Sequence, residues 1–386
     1  MNTPSKSQSV TSSSSSRQQA MTDFLHSFFG DTTFRIDSLA GDASFRRYHR
    51  IVLTDGSTKF AKTYMLMDAP PELESVDSFV QVATLMDAVA NVPSIVADNI
   101  PQGFLLLQDF GNVEFAHLLR QANLLPDGQQ QINDLYHWAM DSLLTLQTLP
   151  LEGDASQLPP YDAERLQSEM ALFTEWFLPY LNVKLDDEAK ELWQNLSQAV
   201  ATQVTHQPQV VVHRDYHSRN LMQDQYYPKD LGIIDFQDAV IGAYTYDLVS
   251  LLRDAYVDWS DHKIDAWATY FYDKLPKSLQ PSKDQFLLDM NVMGLQRHLK
   301  ILGIFVRLAQ RDGKMRYLSD IPKVWRDFMF ELEWLSTHAD QKVKSEGGGI
   351  SEQADNLTNN QTQNVYASFY DWVQTHVTPQ FNKVFE

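Results

Sequence analysis

The chain has no cysteine, no long apolar run and few basic residues, and each absence excludes a class of protein. Without cysteine there is no disulfide scaffold, thiolate metal site or cysteine nucleophile. No stretch reaches the about 18 apolar residues of a membrane span, and the Ser-rich N-terminus lacks the apolar core of an export signal. The 31 Lys and Arg residues are outnumbered by 50 Asp and Glu, which disfavours binding to nucleic acid. We expect a cytoplasmic protein without a membrane, nucleic-acid or obligate protein partner.

The distribution of apolar residues predicts an α+β protein. With 386 residues and 43% hydrophobic content, the chain is long enough for two or three packed units of roughly 150 residues. Short apolar runs such as 64–67 and 104–107 are typical of strands, whereas longer stripes after residue 112 are typical of helices. The predicted regions are a disordered leader (1–20), a small antiparallel β-rich N-terminal lobe (21–108), a larger helical lobe (109–340), and a linker with a possible C-terminal helix (341–386).

The most specific motif is VVVHRDYHSRNLM at residues 210–222. Its core is His213-Arg214-Asp215 followed by Asn220, spaced as H-R-D-x-x-x-x-N, and a second apolar run then ends at Asp235. Chance would produce this combination in roughly one chain in several hundred. The alternative is a polar loop that caps two core strands.

These residue types suit the transfer of a phosphoryl group from ATP. Asp215 is the candidate catalytic base, because a carboxylate accepts the proton of the attacking hydroxyl and orients it. Mg²⁺ prefers oxygen ligands, and Asn220 and Asp235 would supply an amide oxygen and a carboxylate. We therefore expect ATP as co-substrate and Mg²⁺ as cofactor.

The tripeptide Asp109-Phe110-Gly111 spells the magnesium signature of protein kinases, but it lies far before the catalytic loop, in the wrong order. It directly follows the apolar run 104–107, where the two lobes would join. We interpret it, with Gln108, as a hinge whose backbone meets adenine. Gln108, Asp109 and Phe110 are accordingly candidate nucleotide-binding residues.

The loop HRDYHSRN (213–220) resembles the H-G-D-x-H-x-x-N loop of the aminoglycoside phosphotransferase family, the small-molecule branch of the protein-kinase-like fold. The resemblance covers about residues 21 to 340 and implies a bilobal kinase-like fold. It also implies supporting roles for His213 and His217, and for Asp247 as a brace of the loop. As an alternative, Asp247 is simply an acid favoured by the dipole at a helix N-terminus.

Four further strings resemble one subgroup, the bacterial cell-wall sugar kinases. That resemblance implies phosphorylation of the anomeric hydroxyl of N-acetylmuramate and N-acetylglucosamine during peptidoglycan recycling, with an amino sugar and ATP as the small-molecule partners. The alternatives are an aminoglycoside or other small-molecule O-phosphotransferase, and a nucleotide-binding pseudokinase without turnover. The strings are GDASFRRY (41–48), MDAPPE (67–72), DFQDA (235–239) and the run 296–314.

The nucleotide side departs from the kinase pattern. The phosphate loop should lie at GDASFRRY, which contains one glycine, and the lysine expected on the third strand is missing from MLMD at 65–68. Lys62 is the nearest basic candidate there, Arg46 or Arg47 could add positive charge, and the partner glutamate would be Glu72 or Glu74. The candidate phosphate-loop residues are Gly41, Asp42, Ala43 and Ser44.

The acceptor pocket is the least defined part of the prediction. Asp238 and Arg253 lie on segments expected to form the walls of the cleft, and an arginine suits the lactyl carboxylate of N-acetylmuramate. The alternative for each is a solvated surface position.

Overall fold

The computed structural model describes residues 7–39, 45–54, 62–338 and 365–385. The chain divides into two compact units, the first formed by residues 1–115 and 221–238 and the second by 116–220 and 239–386. The predicted boundary near Gln108 is therefore a few residues early. The segment 221–238, which contains Asp235, groups with the β-rich unit and not with the helical one as predicted.

The first unit contains a five-stranded antiparallel sheet in the order β1-β2-β3-β5-β4. The apolar runs predicted as strands form β3 and β5 next to each other, and their side chains are mostly buried. Such runs are typical of strands that lie inside a sheet. The strands are β1 (Phe34–Ser38), β2 (Arg47–Leu53), β3 (Thr63–Asp68), β4 (Ile95–Asn99) and β5 (Phe104–Gln108).

Helix α1 (Ser7–Phe29) overlaps the leader, residues 1–20, that the sequence predicts to be disordered, and that prediction is wrong from Ser7 onward. Phe24 and Leu25 are buried against one face of the sheet. Arg17 donates two hydrogen bonds to Asp68 Oδ1, at 2.8 and 2.6 Å, and its guanidinium lies 3.9 Å from the centre of the Phe104 ring. These tertiary contacts compensate for a serine-rich sequence with low helix propensity.

The rest of the first unit is helix α2 (Asp77–Met86) and a hairpin of β7 (Leu221–Gln223) and β8 (Leu231–Ile233). The helix begins several residues after the Pro70-Pro71 pair that predicted its start. Its Phe79 ring lies 4.8 Å from the ring of Phe236, directly after Asp235. This contact anchors the segment that carries the predicted metal acid.

The second unit is mostly helical. Its longest helix, α10 (Lys283–Asp312), contributes buried side chains along nearly its whole length and ends at Gly313, whose φ of 69° suits a helix C-terminus. A two-stranded ladder joins β6 (Gln209–Val212) and β9 (Val240–Ala243). The other α-helices between residues 115 and 338 are α3 (Phe115–Ala122), α4 (Gly128–Leu146), α5 (Ala163–Leu172), α6 (Leu178–Tyr180), α7 (Asp187–His206), α8 (Tyr246–Leu252), α9 (Asp261–Lys274) and α11 (Ile321–His338).

The C-terminal helix that the apolar periodicity predicts is present. It runs from residue 365 to 372, through a π-helical turn at Val373–Val377, and into the final helix Thr378–Phe385. Phe381 stacks on Trp325 of α11 with ring centres 4.5 Å apart. The predicted linker, Gln341 to Gln363, lies outside the described residues. No helix within the described ranges has the length and apolar content to cross a membrane.

Candidate active site

The predicted catalytic loop begins directly after β6, whose pairing with β9 fixes its starting point. Within the loop, Asn220 Nδ2 donates to the carbonyl oxygen of Asp215 at 3.0 Å, which closes the segment into a compact turn. The amide of Asp215 donates to His213 Nδ1 at 3.2 Å, and Tyr216 donates from its hydroxyl to the Ala139 carbonyl of α4 at 2.8 Å. The loop is therefore tied both to itself and to the helical core.

Asp247, in the first turn of α8, accepts hydrogen bonds from two consecutive amides of the loop. His213 N donates to Asp247 Oδ2 at 2.7 Å, and Arg214 N donates to Oδ1 at 3.0 Å. Burial raises the pKa of Asp247 to about 6, while His213 and the two amide donors oppose that rise. Two loop amides thus depend on one buried carboxylate.

A second buried carboxylate holds the other half of the loop, and the sequence reasoning missed it. Asp254 Oδ2 accepts a hydrogen bond from Ser218 N at 3.0 Å, and its Oδ1 accepts another from Tyr256 N at 2.9 Å. His217 lies close to the amide of Asn220, with a separation of 3.5 Å between Nε2 and Nδ2. No spacing rule connects Asp254 to the motif, so no sequence signal identified it.

Asp215 is surrounded by positive charge. Burial by itself would raise the pKa of its carboxyl, but Lys300, His217 and Arg297 together lower it below its usual value. Lys300 and Arg297 come from α10, so the longest helix supplies the charge that keeps the carboxylate ionised. An ionised carboxylate is the form that accepts a proton.

The predicted metal acid, Asp235, lies in the first unit, shortly after β8, and is exposed. Its backbone has a φ of 65°, a left-handed conformation that Asp tolerates better than most residues. Gln237 donates from Nε2 to Asp235 Oδ1 at 3.0 Å and to Oδ2 of the exposed Asp238 at 3.3 Å. A carboxylate here and the amide oxygen of Asn220 have the donor chemistry that Mg²⁺ prefers.

Several groups of the predicted hinge have partners within the first unit. The Asp109 carbonyl accepts a hydrogen bond from Gln225 Nε2 at 2.7 Å, and the Phe110 carbonyl accepts one from Gln225 N at 3.0 Å. The Asp109 carboxylate is bonded to Arg50, and Gln108 Nε2 donates to Asp224 at 3.0 Å. This segment therefore connects the hairpin of β7 and β8 to the sheet, and its contact with adenine stays a prediction. The candidate phosphate-loop residues 41–44 lie outside the described residues.

β3 carries no lysine that could pair with a glutamate as in kinases, but the first unit contains an arginine–glutamate ion pair. Arg46 Nε lies 2.7 Å from Glu74 Oε1, with the arginine side chain only 10% exposed. Burial raises the pKa of nearby Tyr48 to about 12; Arg46 opposes this rise, whereas Asp235 and Glu74 increase it. The charges of the ion pair and of the predicted metal acid therefore both affect the pKa of Tyr48. Lys62, by contrast, lies 5.2 Å from the ring of Tyr64.

Arg253, predicted as a substrate residue, is held by three carboxylates inside the second unit. Its guanidinium lies 3.2 Å from Asp261, 3.6 Å from Asp327 and 3.5 Å from Glu331. It borders a cleft of about 320 Å³ whose lining residues come from α8 to α11, and none of them belongs to the catalytic loop. These contacts indicate a structural role for Arg253, and its role in substrate binding stays a prediction.

Comparison with known proteins places the chain in a family. The sequence profile described as "Phosphotransferase enzyme family" matches residues 35–277, and the chain belongs to that family. Its fold is protein-kinase-like: it aligns with the ADP-bound aminoglycoside phosphotransferase APH(2″)-Ib at a TM-score of 0.53 and 12% identity, covering 80% of this chain and 97% of that one. The GDP complex of wild-type aminoglycoside 2′-phosphotransferase-IIIa aligns at 0.53 and 16% identity, covering 80% of this chain and 98% of that one.

The chain is also similar to several relatives that share one name and form a narrower group within the phosphotransferases. A Pseudomonas aeruginosa protein named N-acetylmuramate/N-acetylglucosamine kinase is 38% identical over 292 residues, which is 74% of this chain and 80% of that protein. A Neisseria meningitidis protein of the same name is 37% identical over 311 residues, covering 80% and 88%. A Caulobacter vibrioides protein, also of that name, is 30% identical over 349 residues, covering 81% and 91%.

Proposed function

We propose that this phosphotransferase is an ATP-dependent sugar kinase that phosphorylates the anomeric hydroxyl of N-acetylmuramate, N-acetylglucosamine or both. The observation that carries the proposal is the 37–38% identity to kinases named for these two sugars over about three quarters of the chain or more. The braced loop around Asp215 supplies the chemistry that such a reaction needs. Peptidoglycan recycling in the cytoplasm is the process in which these substrates would be used.

Asp215 is the base in this proposal. Its ionised carboxylate accepts the proton of the sugar hydroxyl as the oxygen–phosphorus bond forms and ADP leaves. Because the carboxylate must aim a hydroxyl in line with the transferred phosphoryl group, its orientation matters as much as its charge. The hydrogen bonds that the loop amides donate to the carboxylates of Asp247 and Asp254 provide that orientation.

Asn220 and Asp235 are the proposed ligands of magnesium. When bound, Mg²⁺ neutralises charge on the nucleotide phosphates. Asn220 Nδ2 donates a hydrogen bond to the Asp215 carbonyl, and Oδ1 is the atom of this amide that would bind the metal. Gln237 holds Asp235 Oδ1 at 3.0 Å and so fixes the direction of that carboxylate.

We further assign the phosphate-binding cation to Arg46, in place of the lysine that β3 lacks. Glu74 orients the guanidinium through the 2.7 Å ion pair, as a glutamate orients the lysine of other kinases. Arg46 is mostly buried, so its charge acts in a region of low dielectric constant. Arginine also matches phosphate geometry well, because its planar guanidinium can donate two parallel hydrogen bonds.

The deciding experiment is a panel of acceptors incubated with ATP and Mg²⁺, followed by phosphorus NMR of the products. The panel contains N-acetylmuramate, N-acetylglucosamine and a kanamycin-type aminoglycoside. We expect an anomeric phosphate on one or both sugars. A primary 6-phosphate or a phosphorylated aminoglycoside would replace the proposal with the corresponding O-phosphotransferase. Absence of Mg²⁺-dependent ATP consumption with every acceptor would leave a nucleotide-binding pseudokinase.

A further inference from the structure

Arg214, the residue immediately before the proposed base, adopts an unfavourable backbone conformation. Its φ is 76°, in the left-handed region that glycine enters freely and that side chains with a Cβ rarely adopt. Such a conformation persists only where the surroundings hold it. Because Arg214 and Asp215 share a peptide bond, this turn determines the direction in which the backbone presents the base.

Both the backbone and the side chain of Arg214 have partners within the second unit. Its amide donates to Asp247 Oδ1 at 3.0 Å, and its carbonyl accepts from Arg297 Nη1 at 3.2 Å. Its side chain extends to α5, where Nη2 donates to Glu169 Oε1 at 2.7 Å, and its guanidinium lies 5.6 Å from the centre of the Tyr161 ring. The side chains of Arg214 and Glu169 are each only 14% exposed, so solvent screens their ion pair weakly.

Glu169 also connects the loop to α10. Its Oε2 lies 2.9 Å from Lys300 Nζ and accepts a hydrogen bond from the Tyr161 hydroxyl. Lys300 is in turn 3.3 Å from the Tyr246 hydroxyl, next to the brace Asp247. A single carboxylate thus links the residue before the base to the helix that supplies positive charge to Asp215.

We infer that the Arg214–Glu169 ion pair is a positioning device that keeps the left-handed turn before Asp215 in place, which an arginine could not keep unaided. Arg214 is a positioning residue in this inference and makes no contact with substrate. The inference rests on the proposed sugar-kinase function only for its kinetic test. Glycine would adopt this positive φ without strain, whereas Arg214 is held there by its ion pair with Glu169 of α5, which acts as a side-chain tether.

Two substitutions at the same position test the inference. Arg214→Ala keeps a Cβ but loses the ion pair with Glu169. We expect kcat for the sugar to fall about tenfold to a hundredfold, with little change in the KM for the sugar or the KM for ATP. Arg214→Gly loses the tether but accepts the positive φ without strain, and we expect its kcat to fall by no more than about threefold. Equal losses in both variants would mean that the arginine side chain itself serves the reaction. Unchanged kcat in Arg214→Ala would mean that the turn needs no tether, and either result overturns the inference.

Glu169→Gln provides the second arm. In the wild-type background we expect kcat to fall about tenfold, and in the Arg214→Gly background clearly less, because the tether is no longer needed there. Any remaining loss measures the contact of Glu169 with Lys300. Equal losses in both backgrounds would overturn the inference. Glu164→Gln, at an exposed position of the same helix, is the matched control and should leave kcat unchanged.

Amide hydrogen exchange in residues 213–220 reads the turn without any turnover. We expect faster exchange in Arg214→Ala and Glu169→Gln than in the wild type and Arg214→Gly, at similar midpoints of global unfolding. If the wild type phosphorylates no sugar but this exchange pattern holds, the proposed function fails and the positioning role stands. If exchange is the same in all four proteins, the positioning role fails.

Discussion

The proposed catalytic loop in the second unit and the proposed nucleotide-binding residues in the first are held in different ways. The loop consists of consecutive residues whose backbone amides are fixed by two buried carboxylates, Asp247 and Asp254. The first unit instead joins side chains from distant parts of the chain, as in the pairs Arg46–Glu74 and Arg17–Asp68. Residues whose function depends on backbone geometry must therefore be close together in the sequence. A positive charge, by contrast, can be supplied from any neighbouring strand.

The same difference explains where this chain departs from the kinase pattern. In the loop, one change of residue type, at Arg214, is accompanied by an ion pair with Glu169. In the first unit, β3 lacks its lysine, and we propose that the buried Arg46, directly before β2, provides the positive charge instead. We therefore expect substitutions in the two units to differ in their effects.

Substitution of the base should have the largest effect. Asp215→Asn keeps the size of the side chain but removes the proton acceptor, and we expect kcat to fall by about 10³. Initial rates of sugar 1-phosphate formation measure this directly. The midpoint of thermal unfolding should stay near that of the wild type, which shows that the loss is chemical. Retention of more than a tenth of the wild-type kcat would contradict the assignment of Asp215 as base.

Arg46→Met should weaken nucleotide binding and leave sugar binding intact. Loss of a charge-assisted contact with phosphate corresponds to about 1.5–3 kcal/mol, which is roughly a tenfold to hundredfold rise in the KM for ATP. Titration calorimetry with ADP measures the same loss without turnover. The matched control is Arg35→Met, since Arg35 lies on neighbouring β1 in an exposed ion pair with Asp37. Equal effects of the two substitutions would refute the assignment of Arg46.

The raised pKa of Asp247 predicts that the free energy of unfolding depends on pH in a way that an ordinary surface acid would not produce. Its pKa rises from 3.8 in a free side chain to about 6 in the folded protein. The folded state therefore keeps a proton that the unfolded chain releases, and its stability contribution falls as pH rises through this window. Between pH 4.5 and 7 this amounts to about 2 kcal/mol.

Urea unfolding of wild type and Asp247→Asn at both pH values measures this contribution. The free energy of unfolding of the wild type minus that of the variant should be smaller at pH 7 than at pH 4.5, because the titrations of all other groups cancel in the difference. A difference that stays constant or grows with pH would show that Asp247 does not have a raised pKa.

The smallest expected effect concerns the anchor of α1. Arg17→Ala leaves Asp68, whose side chain is 4% exposed, without its cation, and we expect the free energy of unfolding to fall by about 1–2 kcal/mol. Catalytic constants should not change, since Arg17 belongs to no proposed catalytic or binding group. Gln18→Ala, an exposed position of the same helix, is the control. Equal stability of the two variants would show that the ion pair does not hold the helix.

Sequence reasoning succeeded where the relevant residues are local. The apolar runs of β3, β5 and β6 were identified as strands because burial leaves a continuous apolar pattern in the chain. It failed for α1, because a serine-rich segment shows weak helix propensity, and its ion pair joins residues 51 positions apart. Asp254 and Glu169 were missed for the same reason, since their contacts with the loop cross the tertiary structure.

The order of residues along the chain was enough to predict the family, the inner strands β3 and β5 and the candidate catalytic motif, because each of these depends on neighbours within one turn or one strand. Only the folded structure decided which carboxylates hold the motif, which arginine pairs with Glu74, and why Arg214 can occupy a left-handed turn. Those contacts depend on directions and distances between separate elements, and the linear pattern of residue types does not encode these.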